Sequence, residues 1–289
     1  ETEIDESPYP DDKLAPIYEA AVETILKETG IQKGYCLVLD SGAGRLAFEL
    51  AKRADMMIVG IEDDPKKVEK AKKALDSAGL YGSRVVVEQW DLSSLPNYFA
   101  NLIVPACALH ADRSDAAIAS PSSSGLSTGK AKGWSGEMFR VLRPYDGVGY
   151  IPDTLSWRPE PDDIYRTQKS SIKHLSMLVR GKINREGSWT EGYANPQNTA
   201  CSGDELVKSP LGVLWFGEPG PEKMVERHAK AVSSVSMNGR LFIQGEEVIM
   251  AYDAYNGTLL WERKIPGAVR ARADVDGGNL ALTEDALYV

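Results

Sequence analysis

The chain is poor in the residues that build metal and redox centres. Among its 289 residues are three cysteines and three histidines. Cys36, Cys107 and Cys201 lie far apart with no CxxC or CxxCH, which excludes zinc ribbons, thioredoxin-type redox pairs and c-type haem attachment. His110, His174 and His228 are isolated, with no HxH or HxxxH pair, so no metal site is expected. No stretch of about 20 apolar residues exists, and no membrane-spanning helix is expected. Cations are also in the minority, with 33 Lys and Arg against 42 Asp and Glu for a formal charge of −9. Binding to nucleic acid needs clustered cations, and the densest basic run, Lys66-Lys67 to Lys72-Lys73, is interleaved with Glu69 like a solvated helix face.

What is present first is an alternation of strand and helix patterns. Residues 1–30 read as an acidic, proline-bearing lead-in followed by an amphipathic helix, with Leu14, Ile17, Ala20, Ala21, Ile25 and Leu26 at helical spacing and Gly30 as the stop. Residues 31–151 then place strands at 35–40, 56–62, 84–88, 101–104 and 148–151, with helices over 45–54 and 65–78. Short strands alternating with helices of this length predict right-handed βαβ units and a parallel, doubly wound sheet. Residues 105–136 are rich in Ala, Ser and Gly with little apolar period and read as a lid or an insertion. Residues 152–188 read as a polar linker carrying a short helix near 168–180. From 189 to 289 the pattern changes to short strands, at 211–217, 239–245, 247–267 and 278–289. Asn256-Gly257 sits between two apolar runs as a hairpin signal.

The chemistry concentrates at residues 37–51, LVLDSGAGRLAFELA. An apolar strand runs into a turn bearing Gly42 and Gly44, and a helix follows at once. Glycine lets a backbone approach a ligand where a Cβ would clash, and a helix N-terminus carries partial positive charge. Glu62 follows Asp40 at close to the separation of about 20 residues at which an acid can accept hydrogen bonds from ribose hydroxyls. This is the pattern of a nucleotide-type pocket.

These residues resemble the class I S-adenosylmethionine-dependent methyltransferases over about 14–104 and the strand at 148–151. The first glycine-rich motif of that family, D/E-x-G-x-G-x-G, stands here as Asp40-Ser41-Gly42-Ala43-Gly44-Arg45-Leu46, with Leu46 at the third glycine. The resemblance implies that Asp40, Gly42 and Gly44 line the methionine and ribose part of the cofactor. It also implies that Glu62 holds the ribose hydroxyls and that Asp91 sits beside the adenine amino group, with Trp90 or Leu92 against the ring. S-adenosylmethionine is the cofactor implied. Catalytic residues are not identified: Cys107 and His110 are the only reactive side chains after the fourth strand, and no Asn-Pro-Pro-Tyr signature is present. No final β-hairpin is legible after Ile151, so a curtailed acceptor side is expected.

The second half resembles the quinoprotein-type, or pyrroloquinoline quinone-like, β-propeller. Ala251-Tyr252-Asp253-Ala254-Tyr255-Asn256-Gly257-Thr258-Leu259-Leu260-Trp261 matches the repeat A-x-D-A-x-T-G-x-x-x-W, and GSWTEGYANPQNTA at 187–200 resembles the lead-in to a first blade. The resemblance implies an Asp-capped turn, a left-handed Gly and a Trp packed between blades, with no support for a bound quinone. About one blade and part of a second would be present, against roughly four to eight in a closed propeller, so further blades in a longer protein or another chain are expected. A methyltransferase-like domain followed by such a propeller resembles large exported proteins of planctomycete-type bacteria. With a start at Glu1-Thr2-Glu3 that lacks methionine, the resemblance implies a processed N-terminus and a periplasmic or otherwise extracytoplasmic location. Three functions stay open: a class I methyltransferase, active or vestigial, with an unknown acceptor; an extracytoplasmic scaffold whose propeller binds protein partners; and part of a quinone-dependent dehydrogenase.

Overall fold

Helix α1 (Ala15–Thr29) has proline in its first turn, where a missing N–H costs nothing, and ends at left-handed Gly30, whose N–H bonds the Leu26 carbonyl. Its buried stripe is Tyr18, Ala21, Val22, Ile25 and Leu26; of the apolar positions read from the sequence, Ala21, Ile25 and Leu26 face the core while Leu14, Ile17 and Ala20 are exposed. The computed structural model describes residues 7–110, 131–153, 160, 164–224, 231–268 and 280–289. The chain divides into two units, Glu1–Gly181 and Lys182–Val289.

In the first unit β1 (Lys33–Leu39), α2 (Arg45–Arg53), β2 (Asp55–Ile61), α3 (Pro65–Ser77), β3 (Val85–Glu88), β4 (Leu102–Pro105), α4 (Ala131–Val141) and β5 (Val148–Pro152) follow in turn. All the strand pairs among β1–β5 are parallel. The sheet order is β3-β2-β1-β4-β5-β7-β6, so the order reverses between β1 and β4. This is the Rossmann-like α/β sheet expected from the alternation. β1 is apolar on both faces because helices cover both: Cys36 and Val38 join the core with α1, α2 and α3, while Leu37 and Leu39 join the core with α4. Asn101 pins β1 to β4. It takes the Tyr35 N–H at 2.9 Å, and its side chain fills the place where a Cβ on Gly34 would stand.

The polar stretch expected to be a linker with a short helix is instead part of this sheet. β6 (Tyr165–Lys169) and β7 (Leu175–Arg180) form an antiparallel hairpin, and β7 pairs antiparallel with β5. The final hairpin expected to be missing after Ile151 is therefore present. β6 hid from that reading because every one of its residues is exposed, which removes the apolar alternation that marks a strand. Of the expected lid, residues 111–130 lie outside the described residues. Among the described residues no helix is long and apolar enough to cross a membrane.

The second unit carries a four-stranded antiparallel meander, β8 (Val235–Met237), β9 (Arg240–Gln244), β10 (Val248–Asp253) and β11 (Leu259–Lys264), with neighbours in chain order. A short hairpin, β12 (Ala281–Leu282) with β13 (Leu287–Tyr288), forms a separate two-stranded sheet whose Leu282 packs in one core with Val235 and Phe242 of the meander. Asn256-Gly257 does lie in the β10–β11 connection. The two-residue turn with both residues left-handed is Asn238-Gly239, between β8 and β9. Asp253 Oδ1 accepts the Tyr255 N–H at 3.0 Å, and Gly257 is left-handed, as the repeat implies. Residues 211–217 form no strand, contrary to expectation. Trp215 lies instead against Gly257, where a Cβ would collide with its ring, and donates to the Ala254 carbonyl at 2.9 Å. Trp261 is 42% exposed, its ring tilted by 50° against that of Phe242 with centroids 5.9 Å apart.

Two polar knots close the first unit. Arg180, buried on β7, donates to the carbonyls of Phe139 and Leu142 at the end of α4 and lies over the Phe139 ring. Glu28, near the end of α1, accepts from Tyr150 Oη at 3.0 Å, Ser170 Oγ at 2.8 Å and the Ser171 N–H at 2.5 Å. Burial alone would raise the Glu28 carboxyl, but these donors outweigh it and hold it below the ordinary range. A carboxyl depressed in the folded state adds stability above its unfolded pKa of about 4.3 and loses it as pH falls through the lower folded value. Glu28→Gln is expected to cost about 1–2 kcal/mol at neutral pH. In urea unfolding the gap to wild type should shrink as the medium is acidified below about pH 4.

Candidate functional site

The strand order reverses between β1 and β4, and in α/β sheets the crevice outside the carboxyl ends of the strands at such a switch point is where ligands are received. Three chain segments meet there: the turn 40–44 after β1, the acidic end of β2 and the turn after β4. The turn is tightly wound, with Asp40, Gly42 and Gly44 all left-handed, at φ 49°, 59° and 83°. Asp40 is the costly member, since a side chain in that region is strained by roughly 1–2 kcal/mol. The Ser41 N–H bonds the Ile61 carbonyl at 3.0 Å and the Gly44 N–H bonds the Ser41 carbonyl at 3.0 Å.

Glu62 locks this turn. Its Oε2 accepts the Gly42 N–H at 2.8 Å and its Oε1 accepts the Asp64 N–H at 3.1 Å, with Lys67 Nζ at 3.5 Å. Glu62 is 2% exposed, and two amides and the Lys67 ammonium face its buried carboxyl group. Each carboxylate oxygen has about two acceptor positions, so capacity remains for further donors. Across the crevice Cys107 Sγ lies 3.2 Å from Asp40 Oδ2 and donates to it. The Tyr18 hydroxyl lies close by, its pKa pushed up to about 12 by burial against the opposing pull of Arg45.

The two glycines serve different ends. Where a Cβ on Gly42 would stand there is open space, so what requires glycine is its left-handed backbone. A Cβ on Gly44 would stand 3.1 Å from Ala71 Cβ and from Tyr9 Oη, so its bareness serves packing. Leu46, at the family's third glycine, is fully buried in the core with α1 and α3. It faces the core, not the crevice.

Of the residues singled out in the sequence, Asp40, Gly42, Gly44 and Glu62 come together at one turn. Asp91 stands after β3, exposed, and caps the short turn Leu92–Ser94 by accepting from the N–H and Oγ of Ser93. Gln89 ties this loop to the end of β2 by donating to the Asp63 carbonyl at 2.7 Å. Trp90 is also exposed. The His110 side chain lies outside the described residues. Sequence reasoning missed Tyr9 and Arg45. The signal was an aromatic residue in an otherwise acidic lead-in and a cation directly after the second glycine. Among the described residues no group of three or more His, Cys, Asp or Glu is placed to hold a metal ion.

No protein-family model matches the chain, and no curated protein matches it. Solved structures similar to it include a proposed S-adenosyl-L-methionine-dependent methyltransferase from Methanococcus maripaludis, at 22% identity and a TM-score of 0.42, covering 60% of this chain and 88% of that one. A proposed sarcosine dimethylglycine methyltransferase from Galdieria sulphuraria matches at 21% identity and a TM-score of 0.36, covering 46% of this chain and 45% of that one. An RNA methyltransferase from Salinibacter ruber, solved with S-adenosyl-L-homocysteine, matches at 21% identity and a TM-score of 0.37, covering 62% of this chain and 95% of that one.

Removing the Glu62 carboxylate leaves the Gly42 and Asp64 amides without their acceptor. Glu62→Ala is expected to destabilise the first unit by about 2–3 kcal/mol, read as a lower urea midpoint. Glu62→Gln, which keeps one acceptor oxygen, should lose less.

Proposed function

We propose that the Glu1–Gly181 unit is a class I S-adenosylmethionine-dependent methyltransferase-like domain, with Asp40, Gly42, Gly44, Glu62 and Asp91 as its cofactor-binding residues. The observation that carries this reading is the bond from the Gly42 N–H to the Glu62 carboxylate. It holds a bare-backbone turn and a ribose-type acceptor side by side at the switch point of the sheet. The residues fit such a cofactor in a second respect, because the space beside Gly42 is open. When bound, S-adenosylmethionine would supply an electrophilic methyl group. Glu62 would accept from the ribose hydroxyls, the turn would bring its backbone against the ligand, and Asp91 would accept from the adenine amino group. The α2 N-terminus presents amides without helical partners to the same crevice. Cys107 and Asp40 mark the side on which an acceptor would lie, and the acceptor's chemistry stays open.

A second reading concerns the other unit. The four-stranded meander and the Asp253 turn support a quinoprotein-like propeller blade, and we read the unit as a module that binds protein partners, in an exported protein. Favouring this is the run of exposed apolar side chains at Val207, Leu211, Val213 and Phe216, the last 99% exposed, since monomers seldom leave such a stretch in water.

Isothermal titration of the full chain with S-adenosylhomocysteine tests the first reading. A Kd on the order of micromolar, about −8 kcal/mol, is expected. Gly42→Ala, which fills the open space and strains the left-handed turn, should abolish the heat while circular dichroism stays unchanged. No heat from well-folded wild-type protein, with either S-adenosylmethionine or S-adenosylhomocysteine, would refute the reading and leave the partner-binding module standing alone.

A further inference from the structure

The acidic, proline-bearing lead-in is, over its described part, built onto the glycine turn. Tyr9 Oη donates to the Ala43 carbonyl at 2.8 Å, and its ring meets Phe48 of α2 edge-on with centroids 5.5 Å apart. Arg45, the first residue of α2, lies over the Tyr9 ring at 5.8 Å and the Tyr18 ring at 5.9 Å. Its guanidinium donates to the Pro10 carbonyl and to Asp12 Oδ1, each at 2.7 Å. Asp12 Oδ1 also accepts the Leu14 N–H at 2.9 Å. The ring of Tyr9 is thus in contact with Phe48 and with an always-charged Arg45, and its one polar atom is spent on one backbone carbonyl.

That carbonyl belongs to a peptide with little steric resistance to rotation. The Ala43–Gly44 unit is followed by a residue without Cβ, and glycine accepts either sign of φ with little steric resistance. If this peptide turned over, the Gly44 N–H would leave the Ser41 carbonyl and the turn would lose its shape. Tyr9 fastens one end of the peptide and Ser41 the other. The bareness of Gly44 makes this arrangement fit, because the Tyr9 hydroxyl lies 3.1 Å from where its Cβ would be.

We propose that residues 7–13 are a strap that positions the glycine turn, with Tyr9 a positioning residue that acts on a bound nucleoside ligand through the Ala43 carbonyl. The effect on ligand rests on the cofactor reading above, while the effect on the turn does not. Burial pushes the Tyr9 phenol up, against the opposing influence of Arg45, so the hydroxyl stays a donor throughout the physiological range. Asp12 is held below the ordinary carboxylate range, first by the Leu14 amide and then by Arg45, so the strap's ion pair persists over the same range.

The experiment compares the full chain with Tyr9→Phe, which keeps the ring and removes the hydroxyl. It reads hydrogen exchange at single amides without ligand and S-adenosylhomocysteine affinity by calorimetry. Exchange at the Gly44 amide is expected to rise about fivefold and the Kd to rise about fivefold, the weight of one hydrogen bond, while amides of β2 keep wild-type rates. Asp12→Asn, which loosens Arg45, should shift both in the same direction by less, and Asp11→Asn should shift neither. Wild-type exchange at Gly44 in Tyr9→Phe overturns the strap. So does a rise spread evenly over the β2 amides, which would mean general loosening. If wild-type protein binds no S-adenosylhomocysteine, the cofactor reading fails and the exchange arm still decides the strap.

Discussion

A single buried carboxylate, Glu62, organises the carboxyl end of the sheet. Its two oxygens accept amides from two different connections, Gly42 after β1 and Asp64 after β2. Those bonds fix the left-handed turn 40–44, and the start of α2 and the entry to α3 follow directly from the two connections they join. A buried charge is tolerated only with such partners, and here the partners are the backbone itself. The requirement for Glu62 is therefore structural before any ligand is considered.

The glycine motif separates into parts with different physics. Gly42 is open on its Cβ side and held left-handed, Gly44 is filled on its Cβ side by Tyr9, Ala71 and Leu75, and Leu46 belongs to the core. A missing third glycine is thus a packing choice in α2 and leaves the crevice unaltered. Asp91 contributes differently again, through a loop that it caps itself and that Gln89 ties to the β2 end.

The parallel part of the sheet was legible in the sequence because β1, β4 and β5 are buried on both faces, which forces continuous apolar runs bounded by Gly and Pro, while β2 is buried on one face and leaves Asp55 and Met57 exposed on the other. Residues 165–180 were not legible. β6 faces water along its whole length, and the apolar residues of 168–180, taken without a partner strand, fit a helical period as well as a β period. The same distinction explains the site. Glu62 and the glycines announced themselves by spacing along the chain, whereas Tyr9 and Arg45 act across it, through a contact 34 residues long that no local pattern encodes. In the second unit the turn chemistry of Asp253 and Gly257 was readable, while Trp215 was mistaken for a strand residue. Its role depends on a turn some 40 residues later.

The reversal of strand order also bears on how this unit forms. β1 finds β2 after a short helical connection, but it meets β4 only through pairs such as Cys36 with Leu102, far apart in the chain. Closing a long loop costs entropy before any contact repays it, and sheets built on distant pairs fold slowly for that reason. The β1–β4 seam carries the Asn101 pin on Tyr35 and the meeting of Cys107 with Asp40. The geometry of this end of the sheet therefore rests on contacts of long sequence separation, and it is complete only where the two halves of the sheet meet.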